Sequence, residues 1–415
     1  MTTYAYTCVD RFLKYVTHDT QSDPDSDSFP STSKQKDFAE ILVNDLLEIG
    51  LKDVTLDEWG YVMGTLPGNS EKECHTIGLI AHMDTSPDVS GKDVKPIIHR
   101  NYQGGSISLG DSGIVILADE TPDLKNHIGH DIITSDGTTL LGADNKAGIA
   151  EIFDVLYFFV QHPEIKHGDI RVAITPDEEI GKGADHFDVK TFAADYAYTI
   201  DGETVGEVED ETFCADSVTL TLTGVNVHPG YAKNKMVNSI KAASAILEAL
   251  PQDSMSPETT ADRQGYLHPH FISGNEEQTT VKFLVRDFTV DGLKEKETLL
   301  RQICDKVLSS QPKADYSFKV TEYYRNMKYK LDEEPRVVEY ALEAVKRAGI
   351  TPRRHAIRGG TDGARLSYMG LLTPNIFTGG HNFHSKEEYI AVQDMQKAVD
   401  VIVNVVKIWH EKGRA

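Results

Sequence analysis

The sequence predicts an α/β fold: a mixed, mostly parallel sheet flanked by helices, with a smaller α+β domain of split βαβ, ferredoxin-like order inserted into it. Three observations carry this. Short, almost wholly apolar runs such as Thr76-Ile77-Gly78-Leu79-Ile80-Ala81 recur and alternate with helical patterns, as in sheets covered on both faces. Several of these runs turn polar abruptly, placing His, Asp or Glu where open α/β sheets carry their chemistry. After Cys214 the texture changes to strict alternation in Ser217-Val218-Thr219-Leu220-Thr221-Leu222-Thr223, the mark of a strand with one wet face.

In chain order, residues 9–16 read as a short helix and 17–33 as a polar loop rich in Ser, Asp and Pro. A helix follows with Phe38, Ile41, Leu42, Leu46 and Ile49 on one face, stopped by Gly50. Residues 54–56 and 61–66 read as strands around Glu58-Trp59-Gly60, and 76–81 as the first buried strand. From 86 to 138 the chain is rich in Gly, Asp and Pro with short alternating runs such as Ile114-Val115-Ile116-Leu117, a β-rich excursion. From Asp144 to Phe159 the broadly apolar pattern is that of a helix packed on a sheet. Residues 169–175 and 196–200 are further buried strands. Strands near 217–223, 266–272, 279–287 and 316–324, with helices near 237–250 and 292–309, complete an insertion over 215–324. The rest, 1–214 and 325–415, forms one discontinuous domain.

Composition narrows the function. Lys plus Arg number 42 against 65 Asp plus Glu, a net charge of −23, which disfavours nucleic-acid or anionic-membrane partners. Hydrophobic residues make up 40% and charged residues 26%, as in soluble globular proteins. Cys8, Cys74, Cys214 and Cys304 are far apart and suggest neither a disulfide framework nor a thiolate metal site. The first residues carry no basic-then-apolar signal pattern, and no apolar run approaches the ~18 residues that span a bilayer. A cytoplasmic protein is expected.

Five sheet-edge positions carry ligand-type residues: His82 with Asp84 after the first buried strand, Asp144 at a helix start, Glu178 and Glu179 after 169–175, Asp201 after 196–200, and His381 or His384 after Asn375-Ile376-Phe377-Thr378. Imidazoles and carboxylates without thiolates suit zinc, with cobalt or manganese close behind. A pair of metals needs a bridging carboxylate. Of two adjacent acids, one can ligate while the other takes a proton from water. Taken singly, an acid pair after a strand also suits the positive end of a helix.

Four segments, Ala81-His82-Met83-Asp84-Thr85, Gly142-Ala143-Asp144-Asn145-Lys146-Ala147-Gly148, Asp177-Glu178-Glu179-Ile180-Gly181 and Asn382-Phe383-His384-Ser385, resemble the signatures of the dinuclear-zinc exopeptidase family. The family also contains carboxypeptidases, deacylases and dipeptidases. Asp19-Thr20-Gln21-Ser22, Asp57-Glu58-Trp59-Gly60-Tyr61-Val62-Met63 and Arg358-Gly359-Gly360-Thr361-Asp362-Gly363 are most similar to its tripeptide aminopeptidases. The resemblance implies two zinc ions per subunit: one on His82 and Asp201, one on Glu179 and His384, with Asp144 bridging. His384 is preferred to His381 because the family pattern is His-Ser followed shortly by Glu. Asp84 would orient His82, and Glu178 would be the general base. The resemblance further implies a lid that mediates homodimerisation, from which His228 reaches the partner's substrate. Where the family often has a second Asp after the bridging one, Asn145 stands here. Arg286 and Arg358 are candidate anchors for a substrate carboxylate, since Arg grips carboxylates bidentately. Short peptides are the implied substrates.

Overall fold

The computed structural model describes residues 4–311 and 313–414. Its largest sheet has eight strands in the order Lys52–Leu56, Val62–Leu66, Ile170–Thr175, Ile77–His82, Tyr196–Gly202, Asn375–Phe377, Glu207–Thr212, Arg353–Ile357. The middle four run parallel to one another, and antiparallel neighbours flank them. Every residue of Ile77–His82 is buried, which is why this stretch is apolar throughout rather than alternating. The mixed, mostly parallel sheet expected from the sequence is present.

Helix Ala143–Gln161 packs on the central strands, helix Val392–Lys412 packs on it, and helix Arg336–Arg347 packs on Val392–Lys412. Where these elements meet, Trp409 donates to the Tyr198 hydroxyl at 2.9 Å, which donates to the Val337 carbonyl at 2.7 Å, so no polar atom of the relay is left unpaired. Asp154 closes the N-terminus of helix Cys8–Tyr15 by accepting from the Thr7 and Cys8 amides at 2.9 and 3.0 Å. A carboxylate is favoured there by the unpaired amides of a helix start.

The 86–138 excursion is β-rich. Strands Ile97–His99 and Ile132–Thr134 join Tyr389–Ala391 and Gly380–His381 in a four-stranded antiparallel sheet, and Ile107–Ser108 pairs with Val115–Ile116. Its own core contains Leu109, Ile116, Leu124 and Ile132 against Tyr389. The excursion thus delivers the C-terminal segment carrying His384.

The chain divides into two compact units, residues 1–210, 329–355 and 361–415, and residues 211–328 and 356–360. The second unit holds an antiparallel sheet in the order Tyr266–Gly274, Gln278–Asp287, Cys214–Thr223, Asp315–Tyr324, with helices Ser239–Glu248 and Val290–Leu308. This is the split βαβ order. Val218, Leu220 and Leu222 are buried with Phe283, Ile246 and Leu300, while Thr219, Thr221 and Thr223 lie towards the other face. Full burial of each such aliphatic or aromatic side chain contributes roughly 1.5–3 kcal/mol. Among the described residues, no helix is long and apolar enough to cross a membrane.

Candidate active site

Three neighbouring parallel strands end at one place. His82 closes Ile77–His82, Asp201 lies near the end of Tyr196–Gly202, and Glu178 and Glu179 form a short 3-10 turn after Ile170–Thr175. Asp177, which aims that turn, is held in the left-handed region at φ 57°. Its carboxylate accepts from the Ser31 amide and hydroxyl at 2.6 and 2.5 Å and from Gln35 at 2.7 Å. These bonds offset a conformation that costs a non-glycine residue on the order of 1–3 kcal/mol.

Asp144 reaches the same place from the start of helix Ala143–Gln161. Gly142, at φ 85°, lets the chain turn into that helix, and the peptide between Asp144 and Asn145 is cis. Glu388 holds the turn by accepting from the Leu141 and Gly142 amides, both at 2.7 Å, and from the Asp144 amide at 3.0 Å. The Asp144 carboxylate is divided: Oδ1 lies 2.9 Å from His82 Nε2 and Oδ2 lies 3.2 Å from His384 Nε2. Asp201 Oδ1 stands 3.4 Å from His82 Nε2, and Glu179 Oε2 stands 2.8 Å from His384 Nε2. Asp84 Oδ1 faces the other nitrogen of His82 at 3.4 Å and accepts from the Glu178 amide, while its Oδ2 accepts from the Glu179 amide.

His384, rather than His381, faces Asp144 and Glu179. His381 is buried, its ring stacked on Tyr389 at 5.0 Å. Two further residues escaped the sequence reading. Asp88 stands 3.4 Å from His384 Nδ1, where it can orient that imidazole as Asp84 does His82. Nothing in its loop sequence marks it. Glu388 had a signal, since an acid shortly after His-Ser is part of the family pattern.

The electrostatics call for cations. Burial raises the pKa of Glu178 well above the carboxylate range, raises Asp201, and pushes Glu179 up to about 8 with help from Asp144. Hydrogen bonds that His384 donates to Asp144 and Glu179 raise its pKa to about 11, and Asp201 with Asp144 and Asp84 raises His82 against its burial. Burial opposes ionisation of Asp144, but the two imidazoles outweigh it and lower its pKa. Glu179 Oε1 is buried without a hydrogen-bond partner. Two imidazoles and three carboxylates, of which Asp144 is shared between both imidazoles and Glu179 keeps an orphaned buried oxygen, fit a dinuclear divalent-metal site. One nitrogen or oxygen from each of His82, Asp144 and Glu179 lies within 4.8 Å of the others.

The remaining candidates lie in the second unit. His228 is exposed, and its Nδ1 accepts from the Gly230 amide at 3.1 Å. Arg286 donates to the Asp216 and Val285 carbonyls. Arg358 donates to the carbonyls of Asp262, Gln264 and Thr260 and to the Thr260 hydroxyl, beside the rings of Phe213 and Tyr266. In these bonds Arg286 uses Nη1 alone and Arg358 uses Nη1 and Nη2. Beyond the Gly-rich run after Arg358, Thr361 caps helix Asp362–Tyr368, and Asp362 accepts from Thr175 at 2.8 Å.

Residues 136–408 match the model of peptidase family M20/M25/M40. A curated sequence from Alkaliphilus oremlandii called peptidase T is 50% identical over 404 residues, covering 97% of this chain and 98% of its own length. The chain's fold resembles a tripeptidase from Staphylococcus aureus, with a TM-score of 0.76 at 22% identity over 97% and 98% of the two chains. A dinuclear metal binding peptidase of the M20 family from Bacillus subtilis gives a TM-score of 0.64 at 13% identity, over 97% of each chain. The chain belongs to peptidase family M20/M25/M40 and is a hydrolase. Its place within that family is with peptidase T.

Proposed function

We propose that the chain is a cytoplasmic, homodimeric aminopeptidase that releases the N-terminal residue of tripeptides at a centre of two zinc ions. The observation that carries this is the divided Asp144 carboxylate, flanked by His82 and Asp201 on one side and by His384 and Glu179 on the other, with Glu178 beside them. Two zinc ions there would polarise the first peptide carbonyl and make the attacking water more acidic. Glu178 takes that water's proton and returns it to the leaving amine. The Asp84 carboxylate, accepting from the Glu178 amide, holds Glu178 beside the cluster for this proton shuttle. Asp84 fixes the ring of His82 and, through the amides of Glu178 and Glu179, the position of both acids. From the neighbouring subunit, as the family resemblance implies, His228 would donate to the oxygen that gains charge in the transition state.

Substrate length follows from charge. Asp144, Asp201 and Glu179 would offset most of the charge of two divalent ions held there, so the centre by itself would anchor neither end of a peptide. Arg286 and Arg358 are assigned to the free carboxylate. With both ends held, one residue more or less shifts the scissile bond by ~3.3–3.6 Å, and even ~1 Å of misplacement costs about 10²-fold. Trialanine is therefore expected to be cleaved far faster than dialanine, tetra-alanine, N-acetyl-trialanine or trialanine amide. Equal rates on trialanine and its acetylated form would replace the aminopeptidase with a deacylase on the same scaffold. A normal rate on the amide would remove the arginine anchors alone.

A further inference from the structure

A second group of ligand-type side chains lies outside the centre described above and shares no residue with it. His127 ends the 3-10 turn Pro122–His127, and His130 follows after Gly129, its amide donating to the His127 carbonyl at 2.9 Å. Asp394 lies in the first turn of helix Val392–Lys412, which the excursion meets through two bonds to Asp131. The Val392 amide donates to the Asp131 carbonyl, and the Asp131 amide to Gln393 Oε1, both at 2.9 Å. His127 and Asp394 are buried and His130 is mostly so.

His127 Nε2 stands 2.8 Å from Asp394 Oδ2, and His130 Nδ1 stands 3.8 Å from Asp394 Oδ1. The second separation is too long for a hydrogen bond. Two ligands each ~2.0–2.1 Å from one tetrahedral ion lie ~3.3 Å apart, a distance these two separations bracket. One atom from each of the three residues falls within 4.8 Å of the other two. His130 Nδ1, the atom that faces Asp394, is buried without a hydrogen-bond partner. An ordinary histidine–aspartate clamp accounts for the 2.8 Å bond but leaves His130 aimed at a carboxylate it does not reach.

We propose that His127, His130 and Asp394 bind one further divalent cation of the zinc class, which fastens the 86–138 excursion to the C-terminal helix. Two neutral imidazoles and one carboxylate leave a fourth position for water, within the usual chemistry of such ions. Lys397 is the competitor. Its ammonium lies 2.9 Å from Asp394 Oδ1, but its side chain is 40% exposed and can withdraw into solvent. The site does not depend on the proposed peptidase chemistry.

The test counts metal. Chelator-stripped protein is equilibrated with zinc at controlled free concentration, and bound zinc per chain is measured for the wild type and for His130→Gln. The same pair is compared in an Asp144→Ala background, where the first centre is disabled. The expected result is a loss of one equivalent on His130→Gln in both backgrounds, and several-fold tighter binding of that equivalent in Lys397→Gln. Unchanged stoichiometry between the members of each pair would overturn the proposal, whatever the first centre binds. Should His130→Gln not fold, as judged by circular dichroism, Lys397→Gln in the Asp144→Ala background decides: tighter zinc binding supports the site, and no change rejects it.

Discussion

Glu178 and Glu179 are adjacent in sequence, yet the structure gives them different surroundings. Glu179 faces His384 at 2.8 Å, whereas Glu178 has no imidazole at hydrogen-bond distance among the described contacts. Their roles separate accordingly. Glu178→Gln is expected to keep its metal while losing about 10²–10⁴-fold in turnover. Asp144→Ala should lose metal, because its carboxylate lies against both imidazoles. Elemental analysis of the two purified variants checks this, and a metal-free Glu178→Gln protein would refute the assignment of the base. At this scale much of the cluster was legible, since His82, Glu178, Glu179 and Asp201 each follow an apolar strand. Asp88 was not, because an acid in a Ser-Pro-Asp loop reads the same whether it faces solvent or an imidazole.

Among the elements, buried parallel strands were the most legible, because apolar runs such as 77–81 have no comfortable place but a covered sheet. Strand Glu207–Thr212 is the opposite case. Its sequence, Glu207-Val208-Glu209-Asp210-Glu211-Thr212, has the composition of a solvated loop, and only tertiary pairing makes it a strand. Glu209 is buried there, with Oε2 accepting from the Asn375 amide group at 3.0 Å, and burial pushes its pKa up to about 8. The folded state therefore holds a proton that the unfolded chain releases near pH ~4.3. Its contribution to stability is full below that pH and is lost as pH rises through about 8. Between pH 6 and 9 the urea midpoint of the wild type is expected to fall more steeply than that of Glu209→Gln. Parallel declines in both proteins would show that Glu209 is already ionised in the fold.

The whole molecule separates its ligand-type residues by unit: the divided carboxylate and its neighbours lie in one, and His228, Arg286 and Arg358 in the other. If His228 serves a neighbouring subunit, mixing His228→Ala subunits with Glu178→Gln subunits should restore activity, because one site per heterodimer regains a full set. Demonstrated subunit exchange without recovered activity would mean that His228 serves its own chain or none. The alternation of Val218, Leu220 and Leu222 with threonines made the second sheet readable as one-sided, although sequence alone could not say what its wet face meets. The late delivery of His384, by the segment between Gly380–His381 and Tyr389–Ala391, also sets an order in time. Synthesis at ~5–20 residues per second puts about 10–40 s between Asp201 and His384. Throughout that interval the emerging chain carries His82, Asp144, Glu179 and Asp201 but lacks the last imidazole, so a nascent chain cannot assemble the full donor set, and a truncated one never does.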